Sequence, residues 1–299
     1  MKNAAKIMGR GTFFVALTAF FWGISGGIGG ILMNDGWDPY VVSFYRGAIG
    51  LLFVLTWLML RSRNSGLANY RLWFWSVIAG LGVAGNFAFY FVSISQGSIA
   101  VAATLMYCAP VFVYLVSFAL NLEKPTLLKW ISIALVLGGI VLLTQIYDID
   151  SEGITLIGVG AGLLAGISYA LFIFGFKYAA PHGSPQAILS IAFAVLVIIL
   201  FWPSGSSEVA AVLGAPDLPL FVALGVLGAG VSFIMYVVGL NYTAPAVASV
   251  VAMVEPVTAS LFGVLILSET LDSLQILGMI LILVTVTALS ARSGTQLAQ

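Results

Sequence analysis

Two stretches decide the fold: LGVAGNFAFYFVSISQGSIAVAATLMYCAPVFVYLVSFALNLEKP at 81–125 and LGAGVSFIMYVVGLNYTAPAVASVVAMVEPVTASLFGVLILSETL at 227–271. Displaced by 146, Leu81-Gly82 meets Leu227-Gly228, Phe87 meets Phe233, and Tyr90 meets Tyr236. Ala100-Val101-Ala102 meets Ala246-Val247-Ala248, Pro110-Val111 meets Pro256-Val257, and Glu123 meets Glu269. Single Leu or Val coincidences mean little between apolar segments. Shared prolines, tyrosines and glutamates at one offset mark an internal repeat. Pro39 and Pro185 keep that offset, whereas Gly23-Ile24-Ser25 matches Gly166-Ile167-Ser168 at 143, so three residues are inserted between these points.

Both stretches are apolar enough to read as membrane spans, and so is nearly everything around them. A helix needs about 20 apolar residues to cross the bilayer core. Charges and turn residues divide the chain into ten such spans: 11–33, 38–60, 71–94, 98–120, 126–145, 154–177, 184–202, 217–240, 244–268 and 272–291. The runs are continuous rather than alternating, which excludes a barrel. The first run follows Lys2, Lys6 and Arg10 but is longer than the 7–15 residues of a signal-peptide core and lacks a small-residue cleavage site, so it reads as a retained helix.

Composition agrees. Of 299 residues 61% are hydrophobic and 7% charged, with a mean hydropathy of +1.13. A soluble domain carries about 25% charged residues, so a water-soluble enzyme is excluded, and disorder with it. Eleven basic residues balance eleven acidic ones, leaving no footprint for nucleic acid. One cysteine, Cys108, and one histidine, His182, form neither a disulfide nor a metal cluster.

Basic residues in short loops stay cytoplasmic. With the N-terminus inside, Lys2, Lys6, Arg10, Arg61, Arg63, Arg71, Lys124, Lys129, Lys177 and Arg292 all fall on the cytoplasmic side. The far side receives Asp35, Asp38, Asp148, Asp150, Glu152, Glu208, Asp217, Glu269 and Asp272. The expected fold class is therefore an all-α polytopic membrane protein with ten transmembrane helices, both termini in the cytoplasm of a bacterium and the body in its inner membrane. The repeat divides it into 1–146 and 147–299. Five spans per half is an odd number, so the halves cross the membrane in opposite senses, and such a 5+5 inverted-topology repeat is a transporter architecture. The fifth and tenth spans, nearly free of internal polar groups, are expected at the periphery.

The stretch from Ser98 to Glu123 and its partner from Ala244 to Leu271 resemble the paired signature of the EamA family, within the drug/metabolite transporter superfamily. The resemblance covers nearly the whole chain and is strongest over 81–143 and 227–289. It implies ten helices in two inverted five-helix repeats and a secondary transporter. Bacterial members of the family include exporters of amino acids, aromatic ones among them.

Arg46 and Glu255 are the ionisable residues deepest inside the spans. At 1.5 Å per residue Arg46 lies about 12 Å, and Glu255 about 20 Å, from the outer ends of their helices. An isolated charge at mid-bilayer costs at least about 2.5–3.5 kcal/mol, so each should face a partner or a wet cavity. A structural ion pair and a substrate or coupling role both satisfy that demand. Their repeat equivalents are Ala192 and Ala109, so the charges break the symmetry. Asn86, Tyr90 and Ser93 share one helix face, and Ser232, Tyr236 and Gly239 share its equivalent. Repetition favours a cavity lining, to which Trp22, Ser25, Tyr107 and Tyr169 are added, against plain core packing for each. Pro110 and Pro256 interrupt their spans and should kink them, each freeing a carbonyl. The glycines from Gly23 to Gly30 lack the Gly-Lys-Ser/Thr of a phosphate loop and read as close helix packing. Trp37, Trp57, Trp73, Trp75 and Trp202 read as headgroup anchors near span ends.

Export of a small solute is the function these features favour, neutral amino acids including aromatic ones first, hydrophobic cationic drugs or other metabolites second. A membrane-embedded enzyme would need a catalytic cluster that the spans lack. No cofactor is expected, and no nucleic-acid partner. Beyond the solute and the bilayer, a proton is the candidate partner, with Glu255 its candidate carrier; facilitated diffusion stays equally open.

Overall fold

The computed structural model describes residues 2–60, 65–96, 99–122, 124–148, 155–268 and 270–295, with side chains from Arg10 to Leu289 except Ala100. Arg61, Arg63, Glu123, Asp150, Glu152 and Glu269 lie outside the described residues, as do the side chains of Lys2, Lys6 and Arg292.

The protein is an all-α polytopic membrane protein. Its helices are α1 (Lys2–Asn34), α2 (Pro39–Leu60), α3 (Tyr70–Ser95), α4 (Ile99–Met106), α5 (Ala109–Ala119), α6 (Leu127–Thr144) and α7 (Leu156–Ala179). They continue as α8 (Pro185–Ser204), α9 (Ser206–Val212), α10 (Leu218–Gly225), α11 (Ser232–Tyr242), α12 (Pro245–Val251), α13 (Val254–Ile266) and α14 (Ser273–Thr295). Among the described residues nine helices are long and apolar enough to cross a membrane, counting broken ones as single spans. The stretch expected as a tenth span coincides with α14, whose described apolar part, Ser273–Leu289, is shorter.

Local chemistry sets the helix ends. Asn69, Thr126, Thr155 and Ser184 sit outside the first turns of α3, α6, α7 and α8, and each side-chain oxygen accepts a first-turn backbone N–H. Asn121, Gln145 and Ser268 adopt left-handed φ values of 53°, 53° and 57° just past α5, α6 and α13, where the chain must leave the helix.

Three expected spans are not continuous. The fourth breaks at Tyr107–Cys108, between α4 and α5, and Pro110 falls in the first turn after the break. The ninth breaks at Ala252–Met253, with Pro256 in the first turn of α13. The expected free carbonyl at Pro256 is not free: Ala252 O accepts from Glu255 N at 2.9 Å. The eighth span passes through a π-helical turn, Val226–Val231, between α10 and α11. A short helix, α9, occupies what composition reads as loop, and Tyr45 Oη donates to Val209 O at 2.6 Å to hold it across the bundle end.

Helix pairing respects exchange of the two halves. The contact of α3 with α7 corresponds to that of α11 with α1, and the contact of α3 with α8 to that of α2 with α10 and the π turn. The pairs α2–α8 and α6–α14 map onto themselves. Glycine lets α3 and α7 approach to backbone contact: a Cβ at Gly82 would strike the backbone of Phe172, and one at Gly175 the backbone of Ala79. The same crossing recurs elsewhere, with Gly158 against Gln96 and Gly11 against Tyr242, and positions 96 and 242 are equivalent by the offset of 146. Within the nine spans α6 is the least buried, packed chiefly on α14.

Cross-links identify the two ends of the bundle. At the acidic end Trp37 Nε1 donates to Asp217 Oδ2 at 2.9 Å, and Thr155 N donates to Gln96 O at 3.1 Å. At the basic end Ser184 N donates to Ser65 O at 3.0 Å, and Lys177 Nζ donates to Thr243 O at 3.0 Å.

Candidate functional site

A cavity of about 470 Å³ runs into the bundle from the acidic end. Its mouth is formed by residues close to that end, among them Met33 of α1, Val42 of α2, Phe91 of α3, Ile99 of α4 and Leu267 after α13. Its depth is formed by Trp22, Ser25, Arg46, Asn86, Phe87, Tyr90, Tyr107, Tyr169 and Glu255. Both spans that break next to a proline contribute: the break after α4 presents Tyr107, and the first turn of α13 presents Glu255. Discontinuous helices are where membrane transporters place polar groups at depth, because irregular backbone is tolerated only beside protein or a wet cavity.

Arg46 and Glu255 line the same cavity. The expected alternative, a closed structural ion pair, is not what holds Arg46. Its Nε and Nη2 donate to Gly228 O at 3.1 and 3.0 Å, and its guanidinium lies 5.2 Å from the Phe87 ring centroid. Gly228 belongs to the π turn, the kind of local widening that is frequent at functional sites. A Cβ at Gly228 would meet the Ser25 side chain and Arg46 Nε, so only glycine admits this approach. Glu255 Oε2 is buried with no hydrogen-bond partner.

Asn86 lines the cavity and anchors its wall, Nδ2 donating to Ala165 O of α7 at 3.0 Å. Ser93, on the same face, is buried outside the cavity, where Oγ donates to Gly158 O at 2.7 Å. Of the equivalent face, Ser232, Tyr236 and Gly239 are likewise absent from the lining, and Tyr236 is the aromatic expected there as a wall. It is 0% exposed, because Trp22 stands in front of it with ring centroids 5.0 Å apart. Trp22, Tyr169, Phe172, Phe176, Phe233 and Tyr236 form one aromatic floor, with Trp22 4.9 Å from Phe233 and Tyr169 4.5 Å from Phe172. Trp22 Nε1, Tyr169 Oη and Tyr236 Oη are buried in it without hydrogen-bond partners.

The glycine run divides by role. Cβ atoms at Gly23 and Gly27 would strike α13, at Thr258 and Phe262, which is the close packing expected. Gly26 and Gly30 are different: a Cβ at either would meet nothing within 4 Å, and both line the cavity. Sequence reasoning also missed Lys177, whose Nζ donates to Leu240 O and Thr243 O at the C-terminus of α11 and so ties α7 to α11 at the basic end. The signal was a lysine in the last turn of a span, where topology alone accounts for it. Phe87 was noted for its repeat partner Phe233 but not for its place under Arg46.

A bundle of broken membrane helices around a blind, largely apolar cavity with a few polar groups at its depth is the class of a solute transporter. The family model for the EamA-like transporter family matches twice, over 9–145 and 156–291, and the chain belongs to that family. The uncharacterised transporter YwfM of Bacillus subtilis is 25% identical over 290 residues, covering 95% of each chain. An uncharacterised transporter of Archaeoglobus fulgidus is 29% identical over 93% of this chain and 95% of its own. The threonine/homoserine exporter RhtA of Salmonella typhimurium is 27% identical over 202 residues, 67% of this chain and 65% of that one. One crystal structure matches end to end with a TM-score of 0.72 at 17% identity, which bears on the fold alone. The protein is a transporter and not an enzyme.

Proposed function

We propose that the protein exports neutral amino acids, aromatic ones included, by alternating access across a bacterial cytoplasmic membrane. The halves 1–146 and 147–299 act as inverted repeats, the basic end with both termini faces the cytoplasm, and the cavity is the outward-open site. The observation that carries the reading is a single cavity lined by one cation, one carboxylate and aromatic walls. A zwitterion with an apolar side chain complements all three. Two of the five N–H donors of Arg46 are spent on Gly228 O, and three remain for a carboxylate. The unpartnered Glu255 Oε2 suits an ammonium group. Tyr90, Tyr107 and Tyr169 supply apolar area, which discriminates weakly between side chains and so predicts broad specificity. The RhtA relationship supports the same substrate class.

The test is flux in proteoliposomes of purified protein, with and without an imposed pH gradient, using threonine, methionine, phenylalanine and the cationic dye ethidium. Wild type should move the amino acids, and Arg46→Ala and Glu255→Gln should each lose at least about tenfold. Unimpaired amino-acid flux in both variants overturns the zwitterion site. Dye flux without amino-acid flux replaces the reading with a cation exporter, for which Glu255 alone is required. Stimulation by an opposing proton gradient, abolished in Glu255→Gln, assigns proton antiport; its absence assigns facilitated diffusion.

A further inference from the structure

We infer that Gly26 and Gly30 form a groove that receives the substrate side chain and sets the largest side chain the transporter accepts. The inference rests on the amino-acid reading of the cavity and adds its specificity determinant. Gly26 and Gly30 are one turn apart on α1 and share a face. Close packing does not explain them, because a Cβ at either position would meet no atom within 4 Å. At Gly27, one residue along, a Cβ would overlap the Phe262 ring. The open face belongs to the same cavity as Arg46 and Glu255. That the cavity takes a ligand is indicated independently by two lining side chains, Trp22 and Tyr169. Each is 3% exposed and holds a polar atom, Nε1 and Oη, that has no partner. A glycine inside a helix costs stability relative to alanine, and here two on one face enlarge the site rather than seat a neighbouring helix.

A single methylene-sized change in an apolar pocket shifts discrimination by about tenfold or more. The experiment measures flux of alanine, threonine, methionine and phenylalanine through wild type, Gly26→Ala, Gly30→Ala and Gly27→Ala in proteoliposomes, with thermal unfolding of each protein in detergent. In Gly26→Ala and Gly30→Ala the phenylalanine-to-alanine flux ratio should fall at least about tenfold, and the unfolding temperature should stay at or above the wild-type value. Gly27→Ala should lower the unfolding temperature and depress all four fluxes together. An unchanged ratio in both cavity variants, or a lowered unfolding temperature with uniform loss, overturns the groove and returns these glycines to packing. If folded wild type moves none of the four amino acids, the substrate reading itself fails. The groove is then tested by stabilisation with tetraalkylammonium ions of increasing chain length. A cut-off at shorter chains in Gly26→Ala than in wild type supports it, and an unchanged cut-off overturns it.

Discussion

At the scale of single residues, the two halves use equivalent side chains for opposite purposes. Phe87 lies under Arg46 in the cavity wall, whereas its equivalent Phe233 packs on Trp22 in the floor. Tyr90 lines the cavity and Tyr236 is sealed behind it. The repeat was legible in the sequence, and with it the face on which these residues sit. Which copy of the face is open was not, because identical spacings in the two halves carry no information about conformation. The distinction has a measurable consequence. Tyr236 contributes its ring to the floor while its hydroxyl is buried without a partner. Removing a large buried aromatic costs about 3–5 kcal/mol, whereas removing an unsatisfied buried hydroxyl removes a penalty of about 1–3 kcal/mol. Tyr236→Ala should therefore unfold at a markedly lower temperature in detergent, and Tyr236→Phe at the wild-type temperature or above. Equal destabilisation by the two would assign the hydroxyl a structural bond and refute this account of the floor.

At the scale of elements, nine of the ten stretches that hydropathy and charge mark coincide within a few residues with long apolar helices among the described residues, and the prolines marked where two of them break. The π turn was not legible. Val226–Val231 reads as uninterrupted apolar helix, and only the approach of Arg46 from α2 reveals why the turn widens. A guanidinium in an apolar bundle must find an acceptor, and a backbone carbonyl in a loosened turn is available without a second charge. Arg46 and Gly228 should then act as one unit. Gly228→Ala places a methyl against Ser25 and Arg46 Nε and should reduce transport as severely as Arg46→Ala. Residues in contact give non-additive effects, so the double variant should be no worse than either single one. Losses that multiply in the double variant would show that the π turn and the arginine serve separate ends.

At the scale of the whole molecule, the open acidic end and the closed basic end are held differently. The basic end is strapped by Lys177, whose ammonium caps the last carbonyls of α11, where a cation is favoured both by unpaired oxygens and by the helix dipole. From Gly11 to Asn34 the equivalent helix α1 carries no basic residue, so α1 offers no such strap at the acidic end. If alternating access exchanges the roles of the halves, α7 and α11 must part at the basic end and the strap must break, while closure of the acidic end gains no cationic strap from α1. Lys177 thus biases the protein toward the state open at the acidic end. Hydrogen bonds to a charged group contribute about 1.5–3 kcal/mol each, so losing even one shifts the gate equilibrium by about tenfold or more. The bias can be read from a cysteine placed at Val247 of α12, 7% exposed here and on the basic-end side of the break, in a Cys108→Ser background. In Lys177→Met a membrane-permeant maleimide should label Cys at 247 at least about tenfold faster than with Lys177 present, and Lys177→Arg should restore slow labelling. An unchanged rate in Lys177→Met, with the protein folded, would mean that the strap follows closure of the basic end rather than holding it.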